Sequence, residues 1–239
     1  VVDGQIFHCA GGVPHGTVDL ASALAKSCNG YFVRLGQQLG AQALLQQAQA
    51  LGFGQSIWLA DGLSAEGGAL PSLEELTQSG QLANFSFGQG SLLASPLQVA
   101  AMMNTLAAGG VYRTPYLLDC TLDETSGEEL ATFARPQAKR VFSAQTAKTL
   151  RSMLEQTVAE GTAQDAAGLS GGAAGKTGTA QTGQFTPEGE ERKNLWFAGF
   201  YPAQQPRYTI VVLQDGQIRA ACSSAEAFAR LCTALQWLG

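Results

Sequence analysis

From Gly175 onward the apolar residues of this chain stop recurring at helical spacing and read as strand. Residues 175–182, 195–201 and 208–214 are rich in Thr, Val, Ile and aromatic side chains, and polar turns containing Gly or Pro separate them. They are read as three antiparallel strands, with Trp196, Phe197, Phe200 and Tyr201 as strand packing rather than ligand contacts. Behind them Ala225, Phe228, Ala229, Leu231, Cys232, Leu235 and Leu238 fall on one face of an amphipathic C-terminal helix, which would cover one face of the sheet.

The preceding two thirds follow the helical period. Thr17 is placed to cap a short helix over 20–26, which the turn formers Ser27-Cys28-Asn29-Gly30 interrupt. Tyr31, Phe32, Leu35 and Leu39 then define a helix ended by Gly40, and Leu44, Leu45, Ala48 and Leu51 define another ended by Gly52. Ser95, Pro96 and Gln98 supply a cap, a first-turn proline and the glutamine of a capping box, and that apolar run stops at Gly109-Gly110. A long helix starts at Ser143, shows Ala147, Leu150, Leu154 and Val158 on one stripe, and stops at Gly161. A chain of 239 residues suits one substantial core, so the expectation is a single domain. Within it, 1–170 form a mostly helical part bearing the Ser27–Asn29 turn, and 171–239 form the sheet and the last helix.

Charge and composition remove several function classes. Lys and Arg number 14 against 19 Asp and Glu, a net charge of -5, and no basic run tracks phosphates, so a nucleic-acid partner is excluded. The longest apolar runs, 92–103 and 209–213, are too short or interrupted to cross a bilayer. Five cysteines at 9, 28, 120, 222 and 232 are an odd number without a CxxC pair, and they read as free thiols. His8, Cys9 and His15 lack a partner pair elsewhere, so neither a metal nor a cofactor is expected. The first residue is Val1 and no leader-like segment precedes the fold, so the chain is expected to be cut at its N-terminus.

Two short elements carry chemistry: Ser27-Cys28-Asn29 between helices, and Lys176-Thr177-Gly178-Thr179 opening a strand. Alone, the first is no more than a helix-capping turn. The second, within SGGAAGKTG, looks like a phosphate-binding loop, but Ser170 stands where that loop needs Gly, and strand and turn rather than helix follow. Together, and in order with ALAKSCNGYF (23–32), FGQGSLLASPLQ (87–98), Gly161-Thr162 and NLWFAGFYP (194–202), they resemble the penicillin-binding protein transpeptidases over nearly the whole chain. The wide separation of the two motifs resembles the high-molecular-mass, class B-like members more than the serine β-lactamases of similar fold. Those, and D,D-carboxypeptidases, are the alternatives.

The resemblance implies an α/β (α+β) fold: an antiparallel sheet with the C-terminal helix packed on it, beside a helical subdomain, with a cleft between. It also implies serine acyl transfer to cross-link peptidoglycan outside the cytoplasmic membrane, with D-Ala-D-Ala stem peptides as substrate and β-lactams as mimics. Ser27 would relay a proton, Asn29 would bond the substrate backbone, and Lys176 would hold the substrate carboxylate with the Thr177 and Thr179 hydroxyls. Gly178 would let the ligand approach the strand, and the Thr179 N–H would be half of an oxyanion hole. One departure is plain: no serine has lysine three residues later, and the nearest approach, Ser22 with Lys26, has the wrong spacing. The nucleophile is therefore expected to be missing and the chain inactive alone, which raises a second reading, a noncatalytic binding or structural module. In the family, N-terminal strands flank the last strand, so 208–213 is expected to lack a neighbour and to self-associate.

Overall fold

A computed structural model describes residues 2, 4–9, 12–78 and 80–237. Leu238, read above as part of the last helix, lies outside the described residues. Helix α1 (Leu20–Ala25) is capped not by Thr17 but by Asp19, whose carboxylate accepts the Ser22 N–H at 2.8 Å. A carboxylate is a stronger acceptor than a hydroxyl, and this bond holds the Asp19 carboxyl below its ordinary range. Helices α2 (Asn29–Leu39) and α3 (Ala41–Ala50) follow, joined at Gly40, whose φ of +81° is one that side-chain-bearing residues rarely adopt.

Three small two-stranded sheets not foreseen in the sequence come next: β1 (Ile57–Ala60) with β2 (Leu63–Ala65), β3 (Val111–Tyr112) with β6 (Lys139–Arg140), and β4 (Cys120–Leu122) with β5 (Glu129–Thr132). Helices α4 (Leu73–Thr77) and α5 (Gln81–Phe85) were missed as well. These strands show at most two repeats of the strand period and these helices little more than one turn, too few for a pattern to announce them.

Helix α6 (Pro96–Ala107) carries the expected capping box, with the Gln98 side chain accepting the Ser95 N–H at 3.0 Å. Gln98 is only 1% exposed, and its amide also donates toward the carbonyls of Gly52, Gln55 and Gly67 at 3.1, 3.3 and 2.7 Å. One buried side chain thus satisfies backbone groups from three segments that would otherwise be stranded away from water.

After α7 (Ala144–Glu160) and a single turn of 3-10 helix, Gln164–Ala166, the sheet forms from β7 (Ala174–Phe185), β8 (Glu191–Tyr201) and β9 (Tyr208–Gln217). Its order is β7-β8-β9, antiparallel throughout, with Thr177 opposite Phe197 and Phe197 opposite Val212. Lys176-Thr177 lies inside a strand that continues to Phe185, which disposes of the phosphate-loop reading. Alternation along β8 sorts the core into two layers. Phe197 and Tyr201 face α8 (Ser224–Gln236) with Ala225, Phe228 and Cys232, while Ala198 and Phe200 face α6 and α7 with Met103 and Leu154. Among the described residues no helix is long and apolar enough to cross a membrane.

Candidate active site

The site is made where the ends of three elements meet. Helix α1 stops at Lys26, and Ser27 then takes φ +53°, the one left-handed residue other than glycine among those described. Cys28 caps α2 and Asn29 is its first residue. The other end comes from α7. A Cβ on Gly161 would stand 2.4 Å from the Ala25 carbonyl oxygen, so glycine is required for the close approach that lets the Thr162 N–H donate to that oxygen at 3.0 Å. Strand β7 then passes alongside and brings in Lys176.

Lys176 is the hub. Its ammonium donates to the Ser27 hydroxyl and lies 3.2 Å from Thr162 Oγ1, 2.9 Å from the Thr177 carbonyl and 3.3 Å from Thr177 Oγ1. Ser27 and Thr162 hydroxyls are 3.3 Å apart, and those of Thr162 and Thr177 are 2.8 Å apart. Every one of these oxygens is neutral, and among the described residues no carboxylate pairs with Lys176. Burial pulls its pKa down from 10.5 to about 8. A partly desolvated cation without a counterion, ringed by hydroxyls, is suited to receive an anion and to pass protons.

The remaining motif residues stand nearby with other partners. The Asn29 amide donates to the His8 carbonyl at 2.9 Å, so a main-chain carbonyl already occupies its donor. The Thr179 carbonyl accepts from Gln89 Nε2 at 3.1 Å along the outer edge of β7, which no strand covers among the described residues. At Gly178 an added Cβ would meet Trp196 Cβ at 3.4 Å, an ordinary contact, so packing within the chain does not demand glycine there.

The structure therefore brings Ser27, Lys176 and Thr177 into one hydrogen-bonded group and leaves Asn29 and Thr179 on its margins. It also adds Thr162, Gln89 and His8, to which sequence reasoning gave no role. The signal for Thr162 was the Gly-Thr pair closing a long helix. His8 and Gln89 act through a backbone carbonyl and a loop amide, which leave no pattern. Near the same turn, Cys9 Sγ lies 3.7 Å from Cys28 Sγ, a neighbour that spacing along the sequence does not reveal.

The backbone at Ser27 yields a test. Ser27→Gly and Ser27→Ala both delete the hydroxyl and differ at the strained φ, so the glycine variant is expected to be more stable by about 1 kcal/mol. Denaturant unfolding of the two variants measures it; equal midpoints would mean the turn relaxes without cost.

Fold and site together describe an α/β architecture in which a lysine at a sheet edge faces hydroxyls at helix ends. Residues 9–232 match the family model of the penicillin binding protein transpeptidase domain, and the chain belongs to that family. It is 34% identical over 215 residues to stage V sporulation protein D of Bacillus subtilis, covering 90% of this chain and 33% of that relative. It superposes with a TM-score of 0.86 on the D,D-transpeptidase domain of a peptidoglycan glycosyltransferase from Eggerthella lenta, at 27% identity, covering 100% of this chain and 58% of that one. Penicillin-binding protein 3 from Mycobacterium tuberculosis, complexed with aztreonam, superposes at 0.83 with 29% identity over 99% of this chain and 55% of that one. The chain thus spans about a third of the length of the first of these relatives.

Proposed function

We propose that these residues supply the substrate-holding and proton-relaying part of a serine D,D-transpeptidase that cross-links peptidoglycan on the extracytoplasmic face of the bacterial cytoplasmic membrane. The observation that carries it is the Lys176 ammonium, surrounded by the hydroxyls of Ser27, Thr162 and Thr177 and, among the described residues, without a counterion and beside an uncovered strand edge. A D-Ala-D-Ala stem peptide, or a β-lactam in its place, lies along the outer edge of β7 as an added strand. Its terminal carboxylate sits against Lys176, Thr177 and Thr179.

A serine oxygen attacks the substrate carbonyl as its hydroxyl proton passes to an adjacent base, the Thr179 N–H is one donor to the resulting oxyanion, the C–N bond then breaks, and the amine of a second stem peptide later displaces the serine. The departing amine takes a proton through the Ser27 hydroxyl from Lys176, whose pKa near 8 suits transfer in either direction. Asn29 bonds the substrate backbone once the His8 carbonyl yields its amide. Gly178 leaves room for the ligand. No Ser-x-x-Lys occurs in the 239 residues, so this reading assigns the attacking serine and the second oxyanion donor to residues other than these.

Intact-mass measurement after incubation with a penicillin tests this, on this chain and on a longer product of the same gene. A gain of one opened penicillin in the longer product alone is expected. No gain in either would favour the noncatalytic binding module, for which the missing Ser-x-x-Lys speaks, and a stable adduct on this chain would overturn the assignment of the nucleophile. Self-association is proposed for the outer edge of β9, where no strand pairs with Tyr208–Gln217 among the described residues. Light scattering is expected to give a mass that rises with concentration; a monomer at all concentrations would exclude pairing through that edge.

A further inference from the structure

Cys9, His15 and Cys28 each place one ligand atom within 4.8 Å of the others. The two sulfurs are 3.7 Å apart. Tetrahedral zinc with Zn–S bonds of about 2.3 Å requires thiolate sulfurs about 3.8 Å apart. His15 Nδ1 is buried and has no hydrogen-bond partner among the described residues. A buried imidazole nitrogen left without a partner is costly, and a metal ion is one of the few things that would satisfy it in company with two thiols. A disulfide between the cysteines would account for the sulfurs and leave that nitrogen unexplained.

We propose that Cys9, His15 and Cys28 bind one soft divalent transition-metal ion of the zinc class, with the fourth position taken by water. Each thiol releases its proton to solvent as its sulfur–metal bond forms, and no electron transfer is involved. The site ties the segment containing His8, whose carbonyl holds the Asn29 amide, to the middle residue of the Ser27–Asn29 turn. Metal binding therefore steadies the turn from which Ser27 reaches Lys176 and keeps residues 4–9 beside it. The inference stands apart from the proposed transpeptidase role, because it concerns ligand atoms that take no part in acyl transfer.

The test is Co²⁺ titration of the reduced, metal-free chain, followed by competition with Zn²⁺. Near-ultraviolet thiolate-to-cobalt absorption and visible bands of a tetrahedral ion are expected, saturating at one ion per chain and bleached by Zn²⁺. His15→Gln keeps both thiols and is expected to weaken Co²⁺ binding at least ~10-fold, while Cys222→Ser, which is not a member of the cluster, leaves it unchanged. Circular dichroism of His15→Gln establishes that the variant is folded. Absence of the thiolate–cobalt band would overturn the proposal. So would equal Co²⁺ affinity in folded His15→Gln, or an intact mass lower by two hydrogens in the unreduced protein, carrying no zinc, that marks the pair as a disulfide.

Discussion

Replacing Lys176 by methionine is expected to slow penicillin acylation of a longer product of the same gene, in which the proposed function places the attacking serine, by about 10²–10⁴-fold, the range for losing a positioned proton-transfer group. Methionine keeps most of the side chain's length and removes the charge, so the loss reports the ammonium and not the packing. The same change has a signature in this chain alone. Lys176 titrates near 8 in the folded protein and near 10.5 unfolded. Between those values the unfolded state holds a proton that the folded state has released, so the contribution of Lys176 to stability rises as pH increases from about 8 to 10.5, against the opposite contribution of the buried Cys232 thiol above about 9, and the penalty for the buried Lys176 charge is fully present below about 8. Lys176→Met abolishes that rise. Denaturant unfolding across this pH window measures it, and a wild-type profile superimposable on that of the variant would mean the ammonium is not desolvated.

Phe228→Ala is expected to cost about 3–5 kcal/mol, the largest effect on stability that a single side chain of the α8 layer offers. Phe228 and Phe197 are both 0% exposed, with ring centroids 4.5 Å apart. Removing one ring leaves a cavity facing the other, and neighbours held by both helix and strand cannot collapse into it. The consequence reaches the site, because Phe197 lies opposite Thr177 in the β7–β8 ladder. Leu231 on the same helix is 48% exposed, and its replacement by alanine should change stability by less than about 1 kcal/mol. Thermal unfolding of the two variants separates them; equal effects would place the helix's buried face elsewhere.

Much of the frame could be read without a structure because each long element buries one face, and burial writes its period into the residues. The helices at Pro96–Ala107, Ala144–Glu160 and Ser224–Gln236 and the three strands of the sheet are of this kind. Strands β7 and β9 extend further than their apolar residues indicated, since the added residues at 183–185 and 215–217 are polar or glycine apart from Phe185. At α1 the competition between Thr17 and Asp19 turned on which side chain reaches the Ser22 N–H, a matter of backbone direction that spacing does not encode.

For the site, local sequence marked Ser27-Cys28-Asn29 and Lys176-Thr177-Gly178-Thr179 because their residue types in ordered company fit one chemistry. It could not show that Thr162 joins them, since the contact spans 135 residues to Ser27 and depends on Gly161 letting one helix end touch another. Nor could it show Cys9 and His15 beside Cys28, or His8 on Asn29. What the sequence by itself determined is the periodic frame and the two motifs, because those follow from local patterning. The tertiary structure alone decided which hydroxyls face Lys176 and how far its charge is desolvated, because both arise only when distant chain ends are packed together and water is excluded.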